Sequence, residues 1–210
     1  MKLYSSSFDD TLPIAPTFCL CDIDSTESGQ PVTFSANLNP ALSWTDAPPQ
    51  AQSFVLICYD ETVPTSADDV NQFGREVPED LPRADFFHWL LVDIPADRDQ
   101  IAEGAFSKGV QEKGKSTKVP FGKTGLNDYT GWFAGDEAMA GEYFGYDGPC
   151  PPWNDSLIHT YHFKLYALDI AQCDLEKSFT GTQVRDAIAG HVLQETSLSC
   201  TYTLNPRLRE

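Results

Sequence analysis

Basic residues are scarce in this chain of 210 residues, which has 14 Lys and Arg against 31 Asp and Glu and a formal net charge of -17. A surface of this sign repels the phosphate backbone of nucleic acids and the anionic face of a membrane. The composition therefore argues against a nucleic-acid partner. A small anion that binds must find a local site that works against the field of the whole chain.

Long apolar runs are lacking as well. No run approaches the ~20 residues of a membrane-spanning helix, and residues 1–10 hold no hydrophobic segment of signal-peptide type. We therefore expect a cytoplasmic protein without stable insertion into a membrane. All-β proteins of this length commonly form one domain, so residues 1–210 are interpreted as a single domain.

Several motifs that carry chemistry are missing. The six cysteines form no Cys-x-x-Cys pair of the kind that zinc sites use, and the chain is too long for a small disulfide scaffold. Cys19 and Cys21, one residue apart, would lie on the same face of a strand. We expect reduced core thiols, no metal and no cofactor. There is no Gly-x-Ser-x-Gly elbow, no glycine-rich phosphate loop with lysine and no His-Glu-x-x-His motif.

The apolar segments that are present are short, rich in β-branched and aromatic residues, and separated by Pro, Gly, Asn and Asp. This pattern predicts a mainly β, antiparallel protein. The predicted strands are 53–59, 86–92, 159–168 and 194–204. One helix is predicted over 182–190, with Thr180 or Thr182 as its cap, and single helical turns at 80–82 and 96–100. Two stretches, 65–85 and 127–145, read as loop insertions, and the aromatic residues of the second form either a lid or a satellite core.

Polar residues recur at the ends of three of these apolar segments. Asp60 ends one, His88 lies near the start of the second, and His159 opens the third. Period-two alternation places His159 and Tyr161 on one face of the third strand and His162 on the other. Only four histidines exist in the chain, so this distribution predicts one small pocket with an acid and two imidazoles, while His162 and His191 are interpreted as structural or surface residues.

The order of these motifs resembles the phosphatidylethanolamine-binding protein family, in particular its bacterial and archaeal Raf kinase inhibitor-like branch of the YbhB/YbcL type. The resemblance covers roughly residues 38–204 outside the two insertions. The matching pieces are Asn39-Pro40-Ala41-Leu42-Ser43-Trp44, Tyr59-Asp60-Glu61-Thr62-Val63-Pro64, Phe87-His88-Trp89, Phe121-Gly122-Lys123-Thr124-Gly125, Gly148-Pro149-Cys150-Pro151-Pro152, His159-Thr160-Tyr161 and Leu165-Tyr166-Ala167-Leu168-Asp169.

The resemblance implies a large antiparallel sheet packed on a smaller one, with a few short peripheral helices, and a surface cavity for phosphate, phosphorylethanolamine or acetate. The anion-binding residues that it implies are Asp60, His88, Pro152, His159 and Tyr161, and the possible pocket wall is Phe86, Gly148 and Pro149. The chain departs from the family pattern at Phe86, where many members carry tryptophan, and at three further positions. Thr62 replaces the second acid of Asp-Pro-Asp-x-Pro, Glu61 replaces its proline, and Thr160 replaces the arginine of His-Arg-Tyr.

Three functions are compatible with these residues. An imidazolium offers two N–H donors and tyrosine one O–H, and a neighbouring carboxylate such as Asp60 favours the charged imidazolium. This chemistry favours a non-enzymatic binding protein for a small anion, which could regulate or inhibit a kinase or protease. The alternatives are a hydrolase or phosphotransferase that uses Asp60, His88 and His159 as acid–base groups, and an interaction protein with a vestigial pocket.

Overall fold

Ten strands in antiparallel pairs form the framework of this computed structural model, which describes residues 1–26 and 31–209. The strands are β1 (Lys2–Ser5), β2 (Cys21–Ile23), β3 (Val32–Phe34), β4 (Leu42–Thr45), β5 (Ser53–Pro64), β6 (Arg83–Pro95), β7 (Gln100–Ile101), β8 (Lys123–Thr124), β9 (His159–Leu168) and β10 (Val192–Tyr202). The α-helices of the described residues are α1 (Tyr129–Trp132) and α2 (Gly181–Ile188), and 3-10 turns cover Pro16–Phe18 and Pro206–Leu208. Neither α-helix is long and apolar enough to cross a membrane.

A five-stranded sheet in the order β10-β9-β5-β6-β8 packs on a three-stranded sheet in the order β1-β4-β7. β2 and β3 form a separate two-stranded ribbon. The predicted mainly β architecture with a larger and a smaller sheet is therefore confirmed. β5 and β6 extend the predicted strands by a few residues, β10 begins and ends two residues earlier than predicted, and β9 has the bounds that were predicted.

Both faces of the large sheet are covered, which explains why its central strands are almost wholly apolar. Phe54 and Leu56 of β5 face the small sheet and join the main core. Val55 and Ile57 face the other way and pack in a second cluster with Val184 of α2. On β9 the predicted alternation is confirmed. The face that carries His159 and Tyr161 is buried, and it consists of His159, Tyr161, Phe163, Leu165 and Ala167.

The helix α2 begins one residue earlier and ends two residues earlier than the sequence predicted. Thr180 is its N-cap, and the Gln183 side chain completes a capping box by accepting from the Thr180 backbone N–H at 2.9 Å. Gly190 follows with a positive φ of 85°. The predicted single helical turns at 80–82 and 96–100 are wrong. The chain makes single turns there, such as the bond from Arg98 N–H to the Pro95 carbonyl, and no helix continues because β6 begins at Arg83 and β7 at Gln100.

A β-bulge at His88 sets which side chains of β6 face the site. Trp89 pairs with Cys58 and Phe87 pairs with Tyr59, so that His88 is an extra residue in β6. Before the bulge Phe87 packs in the second cluster, whereas after it Trp89 packs in the main core. The extra residue therefore turns His88 toward the same side of the sheet as Trp89, as bulges beside functional sites commonly do.

Candidate functional site

A small cavity lies where the ends of β5, β6 and β9 meet α1 and the turn that precedes β9. Its volume is about 40 Å³, whereas one water needs about 10–15 Å³ on this scale. The cavity therefore has room for a few waters or one small group. Its lining consists of Asp60, Val63, Pro64, Phe86, His88, Tyr129, Trp132, Cys150, Pro151, Pro152, His159 and Tyr161.

Asp60 and Tyr161 face each other across the β5–β9 pair. One carboxylate oxygen of Asp60 accepts from His159 Nδ1 at 2.6 Å, and the other accepts from the backbone N–H of Thr62 at 2.7 Å and from its hydroxyl. Burial opposes ionisation, but the hydrogen bond and charge of His159 together with the Thr62 donors hold the pKa of Asp60 below its usual value. Asp60 is therefore a buried carboxylate whose oxygens are already occupied.

His159 lies between two carboxylates. Its Nε2 is 3.0 Å from Asp155 Oδ2, and its Nδ1 bonds Asp60. Burial alone would lower the pKa of His159, but the bonds to Asp155 and Asp60 raise it to about 9. His159 is thus an imidazolium at neutral pH, and both of its N–H groups are used inside the protein. It holds the site together and has no donor left for a ligand.

Sequence analysis missed Asp155 and Arg83, which complete this ion cluster. Arg83 binds Asp155 in a bidentate pair at 2.6 and 3.0 Å, and it also donates to the Thr62 carbonyl at 2.9 Å. The position of Asp155 four residues before His159 was the available signal. Thr62 and Thr160 replace the acid and the arginine of the family pattern. An acid–arginine pair is nevertheless present beside the site, and it is formed by Asp155 and Arg83.

His88 presents a single nitrogen to the cavity. Its Nδ1 lies 2.8 Å from the Asp147 carbonyl, which only accepts, so Nδ1 carries the proton and Nε2 is the free atom. Burial lowers the pKa of His88 and outweighs the opposing influence of Asp60 and of the Asp147 carbonyl. The expected imidazolium at this position is therefore corrected. At neutral pH His88 is an uncharged ring whose Nε2 lone pair faces the cavity.

A buried polar network behind His88 fixes the segment that carries this carbonyl. The Asp147 carboxylate accepts from Asn37 Nδ2 at 2.7 Å, Asn127 Nδ2 at 2.8 Å and Lys115 Nζ at 3.2 Å. Burial lowers the pKa of Lys115, against the attraction of Asp147. Because these residues are far apart in the chain, no local motif in the sequence marked the network.

Three aromatic rings surround the His88 imidazole. Their centroids lie 5.0 Å away for Phe86, 5.5 Å for Tyr129 and 5.2 Å for Tyr161, the last two in edge-on geometry. Such contacts restrict the ring to one orientation, so Nε2 has a defined direction.

The turn Gly148–Pro152 forms one wall, but not with the residues that were expected. Cys150, Pro151 and Pro152 line the cavity, whereas Gly148 and Pro149 do not. Gly148 lies behind the wall, where its carbonyl accepts from the Tyr129 hydroxyl at 2.8 Å. A Cβ at Gly148 would lie 2.1 Å from the Phe18 carbonyl oxygen, so only glycine fits there. The predicted wall is corrected to Phe86 and the last three residues of the turn.

The same turn carries a disulfide, which corrects the expectation of reduced thiols for two of the six cysteines. Cys150 is bonded to Cys21 across 129 residues of sequence, and the four remaining cysteines are free and buried. The one-residue spacing of Cys19 and Cys21 gave no indication of this partner. Disulfides are typical of oxidising compartments, so the cytoplasmic location stays a prediction.

The aromatic residues in and beside the second insertion do not form the satellite core that was one of the two expected roles. Tyr143 and Tyr146 are fully buried and belong to the main core. Trp132 is 48% exposed and lines the cavity. The two other histidines lie outside the cavity lining, with His162 stacked on Tyr59 and His191 paired with Asp169 at the surface.

Comparison with known families agrees with this fold. A family model described as phosphatidylethanolamine-binding protein matches residues 5–203, and the chain therefore belongs to this family. The UPF0098 protein YbhB of Escherichia coli is 28% identical over 173 residues, which are 80% of this chain and 82% of that protein. A UPF0098 protein of Methanothermobacter thermautotrophicus is 32% identical over 79% of this chain and 83% of its own length.

Two solved structures have similar folds. The CT736 protein of Chlamydia trachomatis superposes with a TM-score of 0.61 at 28% identity, covering 96% of this chain and 95% of that one. YbcL of Escherichia coli gives a TM-score of 0.65 at 21% identity, covering 96% and 97%, and at that identity it supports the fold alone. The predicted resemblance to the bacterial and archaeal relatives of YbhB is confirmed.

Proposed function

We propose that this protein is a non-catalytic binding protein for one small anionic group, a phosphoryl or carboxylate group, held in the cavity. The observation that carries the proposal is that His88 and Tyr161, which are at most 3% exposed, line the cavity, and that the hydrogen bonds of the described residues use neither His88 Nε2 nor the Tyr161 hydroxyl. Polar groups inside a protein almost always have a partner, so polar atoms on a cavity wall are satisfied by water or by a ligand, and this cavity has room for either.

Because His88 is neutral, the site favours a ligand that carries a proton of its own and can donate it in a hydrogen bond. The charges of Asp60 and Asp155 are balanced by His159 and Arg83, so the ion cluster offers no excess positive charge. The neutral His88 ring presents a lone pair. A P–OH or carboxylic O–H can donate to that nitrogen while Tyr161 donates to another oxygen of the ligand. A fully deprotonated anion binds only if His88 takes up a proton.

We therefore expect the affinity for inorganic phosphate, which keeps a P–OH as monoanion and as dianion, to change little between about pH 7 and about pH 9, whereas the affinity for sulfate should fall about tenfold per pH unit because His88 must take up a proton to bind it. Calorimetric titration in buffers of different ionisation enthalpy measures the proton that is taken up. Sulfate is the matched control, since it has the same shape and charge as the phosphate dianion but no proton to donate, and it should bind more weakly than phosphate at pH 6. Equal and pH-independent affinities for the two anions would contradict the proposal.

Tyr161→Phe tests the second polar atom. Removing the hydroxyl should weaken phosphate binding about 10- to 100-fold, the value of a hydrogen bond to a charged group, without changing the fold. Tyr166→Phe is the control, because Tyr166 is equally aromatic and largely buried but packs in the cluster on the opposite face of the sheet. An unchanged affinity in Tyr161→Phe would remove Tyr161 from the site.

The catalytic alternative has less support among the lining residues. Acid–base catalysis needs a free nitrogen or oxygen, and His159 and Asp60 are engaged with each other. Cys150 is tied in the disulfide, and the Thr62 hydroxyl donates to Asp60. His88 alone retains a free nitrogen, with no adjacent nucleophile to activate. Turnover of p-nitrophenyl phosphate or acetate that disappears in His88→Ala would overturn the non-catalytic proposal. Regulation of a kinase or protease stays a prediction.

A further inference from the structure

Trp132 lies at the mouth of the cavity and differs from the other lining residues in its exposure to solvent. Of the twelve lining residues Trp132 is the only exposed one, at 48%, whereas the polar interior residues Asp60, His88 and Tyr161 are at most 3% exposed. Trp132 and Phe86 also line an adjoining surface groove of about 510 Å³. These two residues therefore lie at the border between the small cavity and a much larger open groove.

The backbone under Trp132 is fixed. The Trp132 N–H donates to the Asp128 carbonyl at 3.0 Å, and the Asp128 carboxylate accepts from the Phe87 N–H at 2.7 Å. Tyr129 is buried and bonds Gly148, while Phe133 stacks on the Tyr129 ring at 5.4 Å. The helix α1 is thus anchored to β6 and to the turn on the far side of the cavity.

The indole of Trp132 itself is not fixed. Among the described residues no aromatic ring pairs with it and no hydrogen bond holds it, whereas Phe86 contacts the rings of both His88 and Tyr129 at 5.0 Å. Rotation of an exposed side chain about its own bonds is a rapid motion that leaves the fold intact. Of the two side chains at the border between cavity and groove, Trp132 is the one that can move.

We propose that Trp132 is the specificity-determining residue of this site, a side chain that limits the cavity to compact anions and must rotate before an anion with an organic substituent can bind. Rotation joins the cavity to the groove, which then receives the substituent while the anionic group contacts His88 and Tyr161. The groove offers Leu126, Thr130 and Thr180 beside the aromatic rim. This inference rests on the proposed function, because it concerns which anions the cavity accepts.

The test is calorimetric titration of inorganic phosphate and of phenyl phosphate at pH 6 into the wild-type protein, Trp132→Ala and Trp153→Ala. Trp153 is a half-buried tryptophan that lines a different groove, so its variant is the matched control. The wild type should prefer phosphate. Trp132→Ala should reduce that preference by about tenfold or more, through tighter binding of phenyl phosphate, which is the range expected for a steric change in a pocket.

Each other outcome decides a separate point. Three outcomes overturn the role of Trp132 and leave the anion site in place. They are an unchanged preference for phosphate over phenyl phosphate in Trp132→Ala, an equal change of that preference in Trp153→Ala, and equal binding of the two ligands by the wild type. Phosphate binding to Trp132→Ala but not to the wild type supports a side chain that closes the cavity completely. Phosphate binding to neither protein overturns the anion site itself, and with it the role of Trp132.

Discussion

Replacing His159 by alanine should lower the free energy of unfolding by about 3–5 kcal/mol, the cost of leaving buried charges without their partner. His159 is 0% exposed and is the cation between Asp60 and Asp155. Without it Asp60 keeps only the Thr62 donors, and Asp155 keeps Arg83. Sequence analysis assigned His159 to ligand binding, whereas its contacts assign it to stability. Urea unfolding at neutral pH measures the loss.

The loss should depend on pH in a defined direction. The pKa of His159 is raised to about 9 in the folded protein, against about 6.5 in the unfolded chain. The contribution of His159 to the free energy of unfolding is therefore complete below about pH 6.5 and disappears as the pH rises through about 9. The lowered pKa values of Asp60 and Asp155 give a contribution that disappears at acidic pH instead. The difference between wild type and variant should be largest in mildly acidic to neutral solution.

His191→Ala is the matched control for this prediction. His191 also pairs with an aspartate, Asp169 at 2.9 Å, but both side chains are more than 40% exposed. Such surface pairs contribute about 0–1 kcal/mol. A loss in His159→Ala that is no larger than in His191→Ala would contradict the buried ion cluster.

Removing the disulfide should cost about 2–5 kcal/mol, near the upper end because the bond closes a long loop. Cys21 and Cys150 are 129 residues apart, and the bond ties the β2 ribbon to the cavity wall. The double variant Cys21→Ser, Cys150→Ser should therefore unfold at a lower urea concentration than the oxidised wild type. Addition of a dithiol reductant to the wild type should produce a similar loss.

The reductant provides the control, because it should leave the stability of the double variant unchanged. Thiol titration of the unfolded, unreduced wild type checks the starting state and should count the four free cysteines. A count of all six cysteines would show that the bond is not formed and would restore the expectation of reduced thiols.

The fold could be predicted largely from local pattern. The apolar strands 53–59, 86–92 and 159–168 all lie in the large sheet, and the alternation in β9 correctly separated His159 and Tyr161 from His162. Hydrophobic periodicity is a local property, and burial of one face is what selects it. The ends of α2 and the turns near residues 80 and 96 were less accurate, because fraying and capping decide such boundaries.

The sequence predicted which residues belong to the site but not the contacts that they make. Sequence order indicated that Asp60, His88, Pro152, His159 and Tyr161 belong together, and all five line one cavity. It did not indicate Asp155 and Arg83, because their pairing with each other and with His159 joins β6 to the loop before β9.

By itself the sequence determined the mainly β class, the family and the residues that gather at the cavity, since these follow from short-range pattern and motif order. Only the tertiary structure decided what each of those residues does. Burial lowers the pKa of His88 and makes this histidine neutral, whereas the two carboxylates bonded to His159 raise its pKa and keep it charged. Protonation depends on burial and on partners distant in sequence, and these are fixed only when the strands pack.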